Sequence, residues 1–270
     1  MKRCIFAIMA AMLLCGCSIK EEPDTLAVSF FDVGKADSFL MTCGGKNLLM
    51  DAGTAKDGKK VAKRLEDMGV ESIDYLMITH FDRDHAGGAA QIIQDFDVKA
   101  LLRPEYMKES DESAECMAAE DRGVKVIIIT SQTDIQLGST KLVIHPADKV
   151  YENDASNNSS LVTEVFHGNN SLLFTGDIEK ERIADIKDEL EDGGYDFIKA
   201  PHHGRYEKIL PEFFSLVGAQ SAVITSSEKN PEEQETIQAL EDAGVKDILL
   251  TRGGEITLQS DGRKLDFTQK

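Results

Sequence analysis

Across 270 residues the chain carries 48 acidic and 30 basic side chains, a net charge of −18, with six histidines, five cysteines and no tryptophan. That balance excludes broad nucleic-acid backbone binding through Lys and Arg patches, unless bound divalent cations invert the local field. The length allows one large domain or two small ones, with a substantial buried core.

The first segment reads as an export signal over residues 1–16. Lys2-Arg3 precede an apolar run over 5–14, too short to span a bilayer as a mature helix. Leu14-Cys15-Gly16-Cys17 resembles a bacterial lipobox, which makes Cys17 the lipidation candidate. The expectation is an exported chain, held by lipid at the outer face of a bacterial membrane. An ordinary secretory signal with an incidental Cys is the alternative. Stable anchoring takes more than one acyl chain. Residues 17–25 read as a polar tether, and 26–270 as one domain. Cys43 and Cys116 form no disulfide framework and no CxxC zinc pattern.

Alternating apolar residues predict strands over 26–32, 38–43 and 46–51, with Gly44-Gly45 as a hairpin turn. Residues 59–68 read as a helix closed by Gly69. An apolar strand over 73–78 runs into His80-Phe81-Asp82-Arg83-Asp84-His85, and Ala86–Ala90 begins a helix. Further strands are predicted over 98–102, 124–129, 141–144, 161–166 and 171–174, with helices over 113–122 and 179–190. His167-Gly168-Asn169-Asn170 reads as a solvated hairpin turn. Strands over 197–200 and 222–225, helices over 210–216 and 231–243, and strands over 248–250, 255–259 and 265–268 complete the chain. Early strands form hairpins and later ones alternate with helices. The expectation is an α/β fold of four layers, αββα, with two mixed sheets and outer helices.

The segment 80–85 places two imidazoles and two carboxylates at a strand end facing a helix start, an arrangement suited to a cation. His80-x-Asp82-x-Asp84-His85 resembles the HxHxDH motif of the metallo-β-lactamase superfamily, with Asp82 at the second His position. Thr175-Gly176-Asp177 resembles that superfamily's strand-end Asp, and Pro201-His202-His203-Gly204 its last His motif. Residues 31–38, FDVGKADS, are similar to the DVGQGDS segment of the ComEC-type competence-protein domain. Asn157-Asn158-Ser159-Ser160-Leu161-Val162 is similar to that group's NNSSLV loop. The resemblance covers most of residues 26 to 205.

The resemblance implies one or two divalent ions, Zn²⁺ or Mn²⁺. His85, Asp84, Asp177 and His203 would hold one ion, with Asp84 also catalytic, and His80 and Asp82 would face a neighbouring one, with Asp177 between them. Asp in place of His shifts preference from zinc toward Mn²⁺ or Mg²⁺; the alternative is that Asp82 points to solvent. Adjacent residues on an extended segment point apart, so His203 is the expected ligand and His202 a phosphate contact or leaving-group acid. The roles of the two are open to exchange. Asn157, Asn158 and Ser159 offer hydrogen bonds to phosphate oxygens. His145 is a further ligand candidate or a strand-end turn residue. Arg205 and Lys208 are phosphate contacts or surface charges. Asp51 is expected behind the ions, orienting a His. Gly34 and Asp37 shape a turn near the cleft.

The activity implied is an extracytoplasmic metal-dependent hydrolase, a phosphodiesterase or nuclease acting on DNA or a cell-wall polymer. The alternatives are hydrolysis of a lactone- or β-lactam-like bond on the same scaffold, since fold does not fix function, and a non-catalytic, lipid-anchored binding module with a degenerate site.

Overall fold

The structure is a computed structural model, and it describes residues 24–106, 113–190 and 194–270. The export signal, Cys17 and all but the last two residues of the tether lie outside the described residues. Among the described residues no helix is long and apolar enough to cross a membrane.

The strands are β1 (Leu26–Phe30), β2 (Phe39–Cys43), β3 (Lys46–Met50), β4 (Ser72–Ile73), β5 (Tyr75–Met77), β6 (Asp97–Val98), β7 (Ala100–Pro104) and β8 (Lys125–Ile129) in the first half. The second half supplies β9 (Thr133–Leu137), β10 (Thr140–His145), β11 (Val162–His167), β12 (Asn170–Phe174), β13 (Phe197–Lys199), β14 (Ser221–Ile224) and β15 (Asp247–Leu250). Two further strands, β16 (Ile256–Ser260) and β17 (Leu265–Gln269), return to the first sheet. That sheet has the order β17-β16-β1-β2-β3-β5-β7-β8, and the second β15-β14-β13-β12-β11-β10-β9. Each sheet is antiparallel through its hairpins and parallel beyond them, at β3-β5-β7-β8 and at β12-β13-β14-β15.

Strand periodicity sorts the apolar residues into three interlayers, because successive side chains leave opposite faces. Leu48, Met50 and Met77 of the first sheet meet Leu172, Phe174 and Phe197 of the second between the sheets. Leu49, Leu76 and Ile78 point outward onto Val61 and Leu65 of helix α1 (Gly58–Asp67) and Ile92 and Ile93 of a later helix, Ala89–Asp95. Leu173, Ile198 and Ala222 point outward on the second sheet, onto Ile183, Phe213, Phe214 and Leu240 of its covering helices. Helices outside two packed sheets make the four layers expected from the sequence. Phe30, Phe39, Phe174 and Phe197 form an aromatic cluster between the sheets, with ring centroids 5.1–6.3 Å apart.

Two local expectations need correction, and one strand goes unpredicted. Strand β9, TDIQL, alternates Ile135 and Leu137 with exposed Asp134 and Gln136 and pairs along β10, yet is absent from the predicted strands. The helix expected over 179–190 spans Lys180–Ile186 only. His167 is not a solvated turn residue: it is fully buried, with Nδ1 2.7 Å from Ser260 Oγ and Nε2 bonded to the Asp24 carbonyl. It pins the start of β1 to the β11–β12 hairpin, and desolvation holds its pKa below the usual histidine value. Among the described residues Cys43 and Cys116 form no disulfide.

Candidate metal centre

The C-terminal ends of β3, β5, β12, β13 and β14 open onto one point between the two sheets, and the chemistry-bearing residues gather there. β3 delivers Asp51. The chain leaving β5 delivers Thr79 and His80, then turns into a short helix, Arg83–Ala86, that carries Asp84 and His85. Gly87-Gly88 let this helix sit directly on the loop after β3: a Cβ on Gly88 would meet the Ala52 carbonyl oxygen at 2.1 Å. The contact is sealed by Ala52 N–H donating to the His85 carbonyl at 2.8 Å. β12 delivers Asp177 through Gly176, whose φ is +56° and whose missing Cβ leaves room for Ser160. The turn after β13 delivers His202 and His203.

Four donors converge. His85 Nε2 and His203 Nε2 lie 3.3 Å apart, and Asp177 Oδ2 is 3.2 Å from the first and 3.1 Å from the second. Asp84 Oδ2 is 3.5 Å from His203 Nε2. Four ligand atoms placed tetrahedrally at metal bond lengths of about 2.0–2.1 Å are about 3.3 Å apart, so these separations fit a single small cation. The rings are also held in the matching tautomer. Asp51 accepts from Thr79 N–H at 2.8 Å and from Thr79 Oγ1–H at 2.7 Å, and Oδ2 lies 2.8 Å from His85 Nδ1. A carboxylate only accepts, so in the neutral ring the His85 proton sits on Nδ1 and the lone pair on Nε2 faces the cluster.

His80 follows the same logic. The one hydroxyl proton of Thr79 is given to Asp51, so Thr79 Oγ1, 3.2 Å from His80 Nδ1, can only accept from it. Ser160 Oγ, also 3.2 Å from Nδ1, accepts in turn from Asp177 N–H at 3.1 Å. His80 Nε2 is then a bare lone pair, fully buried and without a hydrogen-bond partner. A His80 ligand atom lies within 4.8 Å of those of His85 and Asp177, a second group of donors beside the first.

The electrostatics ask for positive charge. Burial opposes a charge on His203, but the Asp177 and Asp37 carboxylates outweigh it and push the ring up to about 10. His85 is likewise raised well above the usual histidine value by Asp177 and Asp51 against desolvation. Asp177 is held well below the carboxylate range, its burial overcome by His203, His85 and Lys199. His80, desolvated and beside His85, is pushed down to about 3. A cation placed among Asp84, Asp177 and the two imidazoles satisfies these groups together. The donor set and the fold support one or two divalent metals.

The remaining site expectations fare unevenly. Asp82 Oδ1 accepts from Ser156 Oγ at 2.6 Å, so the carboxylate is tied to the 155–158 turn, and Asp82 enters none of the tight donor clusters among the described residues. Asn158 and Ser159 are buried and bonded internally. Asn158 Oδ1 accepts from Glu179 N–H at 2.9 Å and Ser159 Oγ donates to the Ser156 carbonyl at 2.6 Å. These bonds clamp the loop that carries Ser160. Asn157 is the half-exposed member, and its amide donates to Glu179 at 3.1 Å.

The segment bearing His202 and His203 is not extended. Both residues sit at left-handed φ, +45° and +54°, in a single tight turn. The rings still diverge, T-shaped with centroids 6.1 Å apart. His202 Nε2 lies 3.9 Å from Asp177 Oδ2, and burial lowers its pKa to about 4. His145 stands apart from the cluster: its Nε2 is 2.8 Å from Glu164, which also accepts from Tyr195. Lys208 is exposed.

Sequence reading missed Glu179 and Lys199. Glu179 Oε1 gathers His202 Nδ1 at 2.9 Å, Arg205 at 3.0 Å and Asn157, and burial with the Asp154 hydrogen bond raises it to about 7. Its place two residues after Asp177 was the available signal. Lys199 is fully buried against Asp37, and its inward register with Phe197 could have revealed it. Asp37 itself is no mere turn residue, being 1% exposed inside the centre. A groove of about 450 Å³, lined by Pro104, Tyr106, Pro146, Lys149, Val150 and Ser159, lies beside the clamped loop.

Comparison with known proteins agrees with this geometry. The family model of the metallo-beta-lactamase superfamily matches residues 31–226. ComE operon protein 3 of Bacillus subtilis is 27% identical over 205 residues, which cover 74% of this chain and 26% of that protein. Recombination protein 2 of Haemophilus influenzae is 28% identical over 85% of this chain and 28% of its own. The chain thus spans about a quarter of the length of these relatives. Among solved structures, the fold protein YhfI of Bacillus subtilis superposes with a TM-score of 0.53 at 11% identity, covering 84% of this chain and 96% of its own. Igni18, a metallo hydrolase of Ignicoccus hospitalis, gives 0.53 at 14%, covering 91% and 99%.

Proposed function

The chain belongs to the metallo-beta-lactamase superfamily, and from that membership we propose that it is a metal-dependent phosphodiesterase, acting outside the cytoplasm on DNA or a phosphate-bearing cell-wall polymer. That it is a metal-dependent hydrolase is supported by the family, its competence-protein relatives and the donor cluster. The phosphodiester substrate is carried by one observation. The chain aligns over most of its length with competence and recombination proteins, and its own motif carries Asp82 where the superfamily pattern has His, as the ComEC-type resemblance implies. Lipid on Cys17 would hold the domain at the outer membrane face.

Bound at the cluster, a divalent ion would neutralise phosphoryl charge and bring a water near its deprotonation range. The protein's own groups do the rest. His85 and His203 hold their Nε2 atoms toward Asp177, Asp84 closes the open side, and Mn²⁺ or Zn²⁺ suits the mixed imidazole and carboxylate set. His202, with its side chain 17% exposed beside Asp177, offers a ring nitrogen to a phosphoryl or leaving-group oxygen. Asn157 and Arg205, both on Glu179, line the same side.

The test is turnover of bis(4-nitrophenyl) phosphate, single-stranded DNA and a β-lactam by the purified chain with Mn²⁺ or Zn²⁺. Phosphodiester turnover, lost in Asp177→Ala, is the expected result. A chain that binds metal and turns over neither phosphodiester with either ion would refute the proposal. Undiminished activity in Asp177→Ala would refute the residue assignment.

A further inference from the structure

We propose that Lys199, Asp37 and Thr225 form a positioning relay that fixes the ring of His203 for a divalent ion. This rests on the metal-centre reading above and adds Thr225, with a positioning role for Asp37 and Lys199 beyond the charge they bring to the centre. Lys199 ends β13 on its inner face, with no exposed surface, and its Nζ lies 2.6 Å from Asp37 Oδ2. The other oxygen of Asp37, Oδ1, accepts from Thr225 Oγ1–H at 2.6 Å. A hydroxyl has a single proton. With that proton on Asp37, Thr225 Oγ1 can only accept from His203 Nδ1, 2.9 Å away. His203 then carries its ring proton on Nδ1, and its Nε2 lone pair faces His85 and Asp177.

Lys199 makes a second contact with the centre. Its Nζ is 3.6 Å from Asp177 Oδ1, an oxygen without a hydrogen-bond partner. The ammonium faces that oxygen and leaves Oδ2 as the one that meets the imidazoles. A buried ion pair adds little to fold stability, since apolar replacements of similar volume are often neutral or better. Here every directional contact of the Asp37 carboxylate and of the Lys199 ammonium, apart from a 3.4 Å approach to the Gly176 carbonyl, leads to His203, His85 or Asp177. The two metal-facing imidazoles are oriented by different devices: Asp51 holds His85 directly at 2.8 Å, whereas the short contact of His203 Nδ1 is to the Thr225 hydroxyl at 2.9 Å, with Asp37 Oδ1 standing behind it at 3.4 Å. The hydroxyl link makes the relay separable by a small substitution.

The experiment measures Zn²⁺ and Mn²⁺ affinity of the full chain by chelator competition, together with the His203 ring N–H resonance in the proton spectrum of the Zn²⁺-loaded protein. Thr225→Val is expected to weaken binding by about 10- to 100-fold, in line with other outer hydrogen bonds to ligating histidines, and to lose the protected ring proton. Thr225→Ser, which restores the hydroxyl, is expected to retain both. Lys199→Met is expected to weaken binding while the metal-free protein still melts cooperatively; if it does not fold, the Thr225 pair decides. Wild-type affinity in Thr225→Val, or equal impairment in Thr225→Ser, overturns the relay. Wild-type affinity in a folded Lys199→Met removes Lys199 from it. Failure of the unaltered chain to bind either ion overturns the metal-centre reading itself and is seen before any variant is compared.

Discussion

Replacing Asp51 with Asn tests the centre with the least disturbance to the fold. Asp51 sits at φ +56°, a conformation Asn adopts nearly as well as any non-glycine residue, so the backbone has no reason to move. One amide oxygen can still accept from Thr79 N–H. The other position becomes an NH₂ donor, facing Thr79 Oγ1 and His85 Nδ1 where Oδ2 had accepted. The Thr79 hydroxyl can rotate and accept. His85 cannot keep its proton on Nδ1 against a donor, so the ring moves it to Nε2. That is the atom facing the other donors, at 3.2 Å from Asp177 Oδ2 and 3.3 Å from His203 Nε2.

The exchange removes a metal-facing lone pair without removing a ligand. Loss of such an outer hydrogen bond costs about 10- to 100-fold in metal affinity, equivalent to about 1.4–2.8 kcal/mol. Chelator competition with Zn²⁺ and Mn²⁺ reads the effect, and thermal melting of the metal-free protein controls for folding. Affinity within about threefold of the unaltered chain, in a folded Asp51→Asn protein, would show that Asp51 does not set the His85 tautomer.

Two other predictions concern the scaffold. His167 is buried neutral with a lowered pKa, so the unfolded chain takes up a proton first as pH falls below the ordinary histidine value of about 6.5. Stability is then lost with falling pH from about 6.5 down to the folded value, and a His167→Gln variant should show a flatter melting temperature between pH 7.5 and 5.5; parallel curves would refute this. Phe174→Ala opens the aromatic cluster between the sheets, where it meets Phe39 at 5.3 Å and Phe197 at 5.6 Å. A loss of about 3–5 kcal/mol in urea unfolding is expected, and a loss under about 1 kcal/mol would mean that the interlayer repacks.

The layers were legible because strand alternation and helix periodicity survive in the sequence: Leu48 and Met50 inward, Leu49 outward, and the same parity at Leu172, Leu173 and Phe174. Strand β9 was overlooked although it was legible: Ile135 and Leu137 alternate with exposed Asp134 and Gln136, the period of a half-buried strand. At the centre, the residues packed into 80–85 and the strand-end Asp177 could be read locally. The pairs that span the molecule could not. Asp37 and Lys199 lie far apart in the chain, and a lone Lys is nearly always solvated. Their contact exists only because β13 ends beside the loop that follows β1. The turn at His202-His203 was misread as extended for a related reason: two consecutive non-glycine residues at left-handed φ are rare, and the surrounding hydrogen bonds hold them there.

Asp82 shows where sequence and structure weigh a position differently. In the sequence, His80-x-Asp82 and Asp84-His85 look like matched halves of one motif. In the structure they are unequal. His85, Asp177 and His203 stand 3.1–3.3 Å from one another, Asp84 lies 3.5 Å from His203, and an acidic or hydroxyl group holds each ring. On the other side His80 is oriented by hydroxyls that serve other partners, and Asp82 is drawn to Ser156. Releasing Asp82 toward an ion on the His80 side means giving up that 2.6 Å bond, whereas the first position needs no rearrangement. If both positions take an ion, the one among Asp84, His85, Asp177 and His203 is therefore expected to bind the more tightly, and a metal titration with two equal affinities would refute this.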